Sequence, residues 1–361
     1  MISTEAQITE RLLRELCARP ELNGKNLVLS PRSLHAAISL LYLGAEGPTR
    51  DELLALLGSG SESDLRARLS AQTEGAKRPE SPLHGALGLF VSAGVALLPA
   101  FTSLARDTLS AQTEDLPFGE PAAAQRINEW VSEATAGRIA DIVSSIDPAV
   151  RMLVVSALHF QADWATKFNA SATFDRPFSR RSGEAVPRPA MHLTATFPLW
   201  RGEDWHLLEM PYERGDHSMV VALPADPRAT HLDVGALGTG IAALEPALVQ
   251  LQLPRFSVAA DLSLSAALRG AGVRCAFDPA RADFSRITSE QVFATDVLHK
   301  AVVAVTEEGT EAAAATLVPL AKAWSPRPKV PFVVDRPFWF VLRDRRDGGL
   351  LFVGRVEDPR G

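Results

Sequence analysis

Eight histidines and two cysteines are the side chains from which catalysis or metal binding would most readily be built. The histidines are His35, His84, His159, His192, His206, His217, His231 and His299, and none has a second ligand at the spacing a metal site needs. His299 stands apart, because it lies in an apolar run beside Lys300 and suits a buried hydrogen bond. There is no Gly-x-Ser-x-Gly elbow, no His-Glu-x-x-His pair, no Gly-Lys-Ser/Thr phosphate loop and no dinucleotide fingerprint. Gly235, Gly238 and Gly240 are close together but follow no strand at the required spacing, and read as a loop. Cys17 and Cys275 are too few for a disulfide framework and are expected as free core thiols. Asn169-Ala170-Ser171 fits the glycosylation pattern, which a chain of this length meets by chance. These residues spell out no enzyme, no metal site and no cofactor.

Composition narrows the partners. The net charge is −6, and no basic stripe offers a footprint for nucleic acid. Arg343, Arg345 and Arg346 are interrupted by aspartates and read as a solvated turn. No apolar run approaches the roughly 20 residues that cross a bilayer, so no membrane span is expected. Glu5, Glu10, Arg11, Arg14 and Glu15 break any signal-peptide core. A cytoplasmic location, or a chain lacking its leader, is the expectation. With 46% hydrophobic and 22% charged residues the chain is ordinary for a globular protein. Its 361 residues suggest two domains by length, but no low-complexity linker divides them, so a single unit over 1–361 is expected.

The elements that must position any site fall in a definite order. Ile8, Leu12, Leu13 and Leu16 share one helical face in residues 3–19. Asn26–Leu29 is a short strand, and Ser30-Pro31 supplies an N-cap and a first-turn proline for a helix ending at Gly44. Helices are also expected from Thr49 to Gly58, over 99–109 and over 121–137; the polar stretch 59–81 carries at most a peripheral one. Gly85–Val91 and Asp115–Pro117 read as strand pieces, and Met152–Phe160 as a central strand covered on both faces. Short strands in turn-rich sequence follow to about residue 225, then a strand at Val249–Phe256 and a helix at Leu262–Gly270. Phe338–Leu342 and Leu350–Val356 make a terminal hairpin. Helices first and mostly strands afterwards, without βαβ alternation, indicate an α+β fold.

One stretch fits no element. Glu307–Thr316 reads Glu-Glu-Gly-Thr-Glu-Ala-Ala-Ala-Ala-Thr; alanine and glutamate favour helix, while Gly309 and the threonines interrupt it. No apolar face would hold it to a core. It follows the strand-like run Val297–Thr306 and precedes Pro319, Pro326, Pro328 and Pro331.

From His299-Lys300 to Thr316 the sequence resembles the strand and proximal hinge of the serpin family. Other blocks resemble the same family in order: Asn26–Leu34 through Ala45, Asn128-Glu-Trp-Val through Ile139, and Leu153–Phe160 with Trp164. Leu253-Pro-Arg-Phe256, Ala276-Phe-Asp278, Ala282–Ser285, Asp335–Phe338 and Leu351–Val356 complete a resemblance that spans essentially the whole chain. It implies a serpin fold, about nine helices around three β-sheets, with an exposed reactive-centre loop over about 307–331. It also implies suicide inhibition by a metastable fold. A serine or cysteine protease cleaves the loop and is held as an acyl-enzyme while the loop enters the main sheet as a new strand.

The resemblance assigns the hinge to Glu307, Glu308, Gly309, Thr310, Glu311, Ala312, Ala313, Ala314, Ala315 and Thr316. An entering strand needs small side chains and no proline, which Ala312–Ala315 satisfy. Gly309 is expected to lend conformational freedom, and strand alternation would turn Thr310 inward and Glu311 to solvent. Ser30, Ser33 and His299 match the family's shutter, and Trp164 its breach. Ser156 stands where the family usually has asparagine, so a looser or rewired shutter is expected. Counting from Gly309 by the family's usual spacing puts the reactive bond at Ala323-Trp324, which suits an elastase- or subtilisin-like protease. One residue shorter gives Lys322-Ala323, trypsin-like; one longer gives Trp324-Ser325, chymotrypsin-like. The expected partner is thus a serine protease met by a monomer, of prokaryotic type given the absent leader and disulfides. The rival reading is a non-inhibitory serpin used as a binding or chaperone-like module; the intact alanine run argues against it.

Overall fold

The computed structural model describes residues 4–310 and 328–360, apart from Ser59, Gly60, Lys77, Pro79, Arg228, Thr230 and His231. The first half of the chain runs α1 (Thr4–Cys17), β1 (Leu27–Leu29), α2 (Pro31–Gly44), α3 (Gly47–Leu57), α4 (Glu62–Ala76), β2 (Leu83–Ser92), α5 (Pro99–Leu109), β3 (Gln112–Leu116), α6 (Pro121–Ala134), β4 (Met152–Phe160) and β5 (Ala162–Asp163). Strands dominate the second half: β6 (Thr173–Ser179), β7 (Ala185–Arg201), β8 (Trp205–Pro211), β9 (His217–Pro224), α7 (Val234–Ala242), β10 (Glu245–Pro254), β11 (Phe256–Ser263), α8 (Ser265–Gly270), β12 (Ala294–Val305), β13 (Gly309–Thr310), β14 (Val330–Val333), β15 (Phe338–Asp344) and β16 (Leu350–Val356).

Hydrogen bonds join these strands into two sheets among the described residues, not the three implied by resemblance. The nine-stranded sheet runs β1-β16-β15-β9-β8-β7-β10-β14, with β6 also on β7. The reason is β7, which at 17 residues pairs with β6 and β10 and then, at its far end, with β8. This corrects the expectation of short strands there. Two of its three prolines did not break β7, because Pro187 faces Pro177 and Pro198 faces Pro246, while Pro189 lies opposite Asp175. At a pair where neither residue has an amide hydrogen, no donor is orphaned.

The seven-stranded sheet carries the site. Its order is β3-β2-β4-β12-β13-β5, with β11 on the outer edge of β12. β4 and β12 lie side by side in parallel up to His159 and Val302. Beyond them β13 is wedged between β12 and β5, pairing Thr310 with Val305 and with Ala162. Helix α6 covers one face of this sheet, and Ile127, Val131, Phe90 and Val155 form a small core between them. The main core fills the other side, with α2 across the backs of β4 and β16.

Several boundaries move. The expected strand at Val249–Phe256 is two strands, β10 and β11, divided at Arg255, and the helix expected from Leu262 begins at Ser265. Gly235, Gly238 and Gly240 lie in α7, not in a loop; a Cβ on Gly240 would come within 2.6 Å of Leu207, so close packing selects that glycine. Arg343 is no surface turn residue, since it pairs at 3.1 Å with the buried Glu209. The two cysteines are free, Cys275 buried and Cys17 half-buried.

The chain's end is fastened to its beginning. Asn26 Nδ2 donates to the Asp358 carbonyl at 2.7 Å, and its Oδ1 accepts from the amides of Glu357 and Asp358. Arg188, itself buried, grips the Asp358 carboxylate with Nε and a terminal nitrogen, both at 2.7 Å. Hydrogen bonds from Arg188, outweighing burial, hold that carboxyl well below its ordinary range. Among the described residues no helix is long and apolar enough to cross a membrane, and no three potential ligands cluster as a metal site.

Candidate functional site

At the end of β12 the chain turns sharply, and the Thr306 amide donates to the Gly309 carbonyl at 2.9 Å. The turn is held from several directions. Trp164 donates its amide to the Glu308 carbonyl at 2.8 Å and its indole nitrogen to the Thr306 carbonyl at 3.0 Å. The Phe168 amide donates to the Glu307 carbonyl at 2.9 Å. Glu307 is 5% exposed, and its carboxylate accepts from Arg255 Nε at 2.7 and 2.8 Å and from the Thr173 hydroxyl at 2.5 Å. Burial pushes the Glu307 carboxyl up, but the Arg255 and Thr173 hydrogen bonds prevail and hold it below its ordinary value. Lys167 spans Glu308 at 3.0 Å and Asp163 at 2.6 Å.

Beyond the turn, Gly309 and Thr310 already occupy the sheet. Thr310 is fully buried, and its hydroxyl lies 2.6 Å from that of Tyr212. The Tyr212 ring stacks on Trp164 with centroids 4.5 Å apart, and burial pushes its phenol far above its usual range. Gly309 has no positive φ, so conformational freedom is not what selects it. A Cβ there would stand 2.1 Å from the Ala162 carbonyl oxygen and 2.7 Å from the Asp163 Cα. Clearance between two strands is the requirement. Gly309→Ala is therefore expected to unseat β13, and hydrogen exchange of the Thr306 and Thr310 amides should rise roughly tenfold or more. Unchanged exchange at those amides would show that the seating does not need the glycine.

This placement corrects one expectation. Residues 307, 309 and 310 are buried, whereas the whole hinge was expected to stand exposed. The physical reason is the clamp on Glu307 and the gap that opens between β12 and β5. Glu311, Ala312, Ala313, Ala314, Ala315 and Thr316 lie outside the described residues, as do Lys322, Ala323, Trp324 and Ser325. Arg255, Thr173, Lys167 and Tyr212 were not singled out in the sequence. Arg255 sits inside a family-like block, the only signal available; nothing local ties Tyr212 to a residue almost a hundred positions away.

The second constellation lies deeper in the same sheet. Ser30 caps α2 through its hydroxyl, which accepts the Ser33 amide at 3.1 Å. The Ser30 amide donates to His299 Nε2 at 3.1 Å, so the neutral ring carries its proton on Nδ1, 3.4 Å from the Ser156 hydroxyl. The Ser33 and Ser156 hydroxyls are in direct hydrogen-bond contact, and Ser156 also approaches the Ser33 carbonyl at 3.4 Å. His299 and Ser156 face each other across β12 and β4. The network thus ties the start of α2 to the two strands that must part if anything is to enter between them. The short Ser156 side chain reaches three groups, two of them at the limit of hydrogen bonding. Burial depresses the His299 pKa to about 3.

The family model for serpin (serine protease inhibitor) matches residues 3–359. An uncharacterized serpin-like protein of Thermococcus kodakarensis is 34% identical, covering 94% of this chain and 82% of its own length. Serpin-Z1C of Triticum aestivum is 32% identical over 99% of this chain and 96% of its own. Among solved structures, the thermophilic serpin tengpin in its native state superposes with a TM-score of 0.91 at 24% identity, covering 99% of this chain and 94% of that one. Human thyroxine-binding globulin, solved with thyroxine, gives 0.90 at 26% identity, covering 99% and 98%. Family and fold are in general those of protease inhibitors that change conformation, with members such as the globulin that carry a ligand instead. From the matched span, the relatives and the architecture together, the chain belongs to the serpin family.

Proposed function

We propose that this protein is a suicide inhibitor of a serine protease, cut within 322–325 and completed by insertion of residues 311 onward behind Thr310. The observation that carries the reading is β13: two hinge residues sit in register between β12 and β5, so the sheet already holds the first rung of an added strand. A strand that grows from an existing rung avoids the unfavourable first step of pairing. In this reading Glu307–Thr310 anchor the loop, Trp164 and Tyr212 line the entrance, and Ser30, Ser33, Ser156 and His299 hold the strands shut until the loop is cut. Small side chains at Ala312–Ala315 would pass between packed neighbours. Ala323 before the bond favours a protease with a small pocket.

The test is incubation with elastase, subtilisin, trypsin and chymotrypsin in turn. At least one should give an SDS-stable complex, and mass analysis of the C-terminal peptide should place the cut within 322–325. Cleavage without any complex would overturn the inhibitory reading.

A further inference from the structure

Beside the serine–histidine network, between α2, α4 and strands β2 and β4, lies a cavity of about 320 Å³. Leu69, Leu83, Leu87, Leu109 and Leu158 form its apolar walls. A neighbouring cavity of about 520 Å³, open to more polar residues, shares Arg32, Gln72, Leu83 and His84 with it. Arg32 thus stands at the boundary of both, with the leucines on one side and the polar cavity on the other.

Arg32 is the residue at that mouth with something left to bond. Its side chain is 14% exposed, and one terminal nitrogen makes a long contact of 3.4 Å with Asp347. Its Nε is buried and has no hydrogen-bond partner. A buried guanidinium donor left empty is costly, and a carboxylate is the partner whose shape and charge suit it best. Of the acids that line the polar cavity with Glu80 and Glu213, Asp347 reaches only a terminal nitrogen, Arg346 engages Asp344 at 2.6 Å and lies 3.7 Å from Asp216, and Lys167 holds Asp163 at 2.6 Å, which leaves the Nε unmet. Burial and the neighbouring His159 depress the His84 pKa, so that ring favours its neutral form and the cationic attraction comes from Arg32.

We propose that this space binds a medium-chain carboxylate, its chain among the five leucines and its head on Arg32. Ser33 and Ala157 also line the cavity, the first inside the serine–histidine network and the second adjacent to Ser156. A bound chain therefore braces α2 against β2 and β4, and a ligand held only by the folded protein raises its melting temperature with concentration. The proposal does not depend on the inhibitor reading, because binding is read without any protease.

Calorimetry of the full chain with octanoate is expected to show one saturable site, with 1-octanol binding at least about tenfold more weakly for want of a charged head. Arg32→Gln should bring octanoate down to the octanol affinity and leave octanol unchanged. Ala36→Leu, which places bulk into the apolar end, should abolish both. Circular dichroism without ligand checks that each variant is folded. If Arg32→Gln does not fold, the octanoate-to-octanol ratio of the native chain and Ala36→Leu carry the test. No saturable binding, equal affinity for the two ligands, or octanoate binding that survives Ala36→Leu would each overturn the proposal.

Discussion

Replacing Thr310 with arginine is expected to abolish stable complexes and turn the protein into a substrate of whichever protease the panel selects. Thr310 is fully buried, with its hydroxyl 2.6 Å from that of Tyr212 and its backbone paired to Val305 and Ala162. An arginine there would force a cation into a fully buried position beside the Tyr212 and Trp164 rings, at a cost of several kcal/mol. The rung between β12 and β5 would empty, and refilling it after cleavage would require the same burial. Cleavage itself, at a bond far along the chain from 310, should proceed at close to the native rate. The number of inhibitor molecules consumed per protease inactivated should rise at least about tenfold, corresponding to roughly 1.4 kcal/mol between the two outcomes. Thr310→Val keeps the size and loses one hydroxyl, so most inhibition should remain. Complexes at native yield from Thr310→Arg would mean that strand entry does not pass through this position.

Acid is expected to loosen the sheet through His299. The ring is buried, with Nε2 accepting from the Ser30 amide, and its folded pKa is about 3. An unfolded histidine takes up its proton near pH 6.5. Between those limits the unfolded chain binds more protons than the folded one, so stability falls as pH is lowered from 6.5 toward 3. Each pH unit inside that window removes about 1.4 kcal/mol. His299→Gln retains an oxygen that can accept from the Ser30 amide but cannot be charged. It should be less stable than the native chain at neutral pH by about 1–2 kcal/mol and flatter between pH 6 and 4.5. His84 and His217 are also depressed by burial, so the difference between the two proteins isolates the His299 contribution. The lower bound stays above the unfolded values of about 4.3 and 3.9 at which the carboxyls of Glu307, Asp344 and Asp358, depressed in the folded state, begin to cost stability as pH falls. Parallel slopes for the two proteins in denaturant titrations over this range would refute the assignment.

What the sequence made legible follows from where the information is local. The buried strand Met152–Phe160, the helix at 99–109 and the start of α2 at Ser30-Pro31 match their expected bounds, because burial, capping and proline all act within a few residues. Strand β7 was hidden because two of its three prolines, Pro187 and Pro198, lie opposite prolines of β6 and β10, a fact of register. The glycines of α7 misled for the same reason: Gly240 is fitted to Leu207 and Trp200, which come from other strands. In the candidate site, His299 was visible as a polar residue in an apolar run and Ser30 as a helix cap, while Ser33 and Ser156 came only through the family resemblance. Arg255 and Tyr212 were not visible, since what marks them is contact with Glu307 and Thr310 from distant parts of the chain. For Gly309 the structure replaces conformational freedom with clearance between strands as the reason for glycine.

The knot between Asn26 and the chain's end has a consequence for what a cut can do. Residues beyond 327 enter the sheet as β14 on β10, β15 between β9 and β16, and β16 on β1, and the Asn26–Asp358–Arg188 cluster fastens the last of them. The C-terminal strands are therefore held by pairing of their own and not by covalent connection alone. A nicked particle is expected to hold both pieces together and to yield two chains only when denatured. The short fragment is a subunit in waiting, and the break frees one end of the anchored hinge without shedding anything the fold needs.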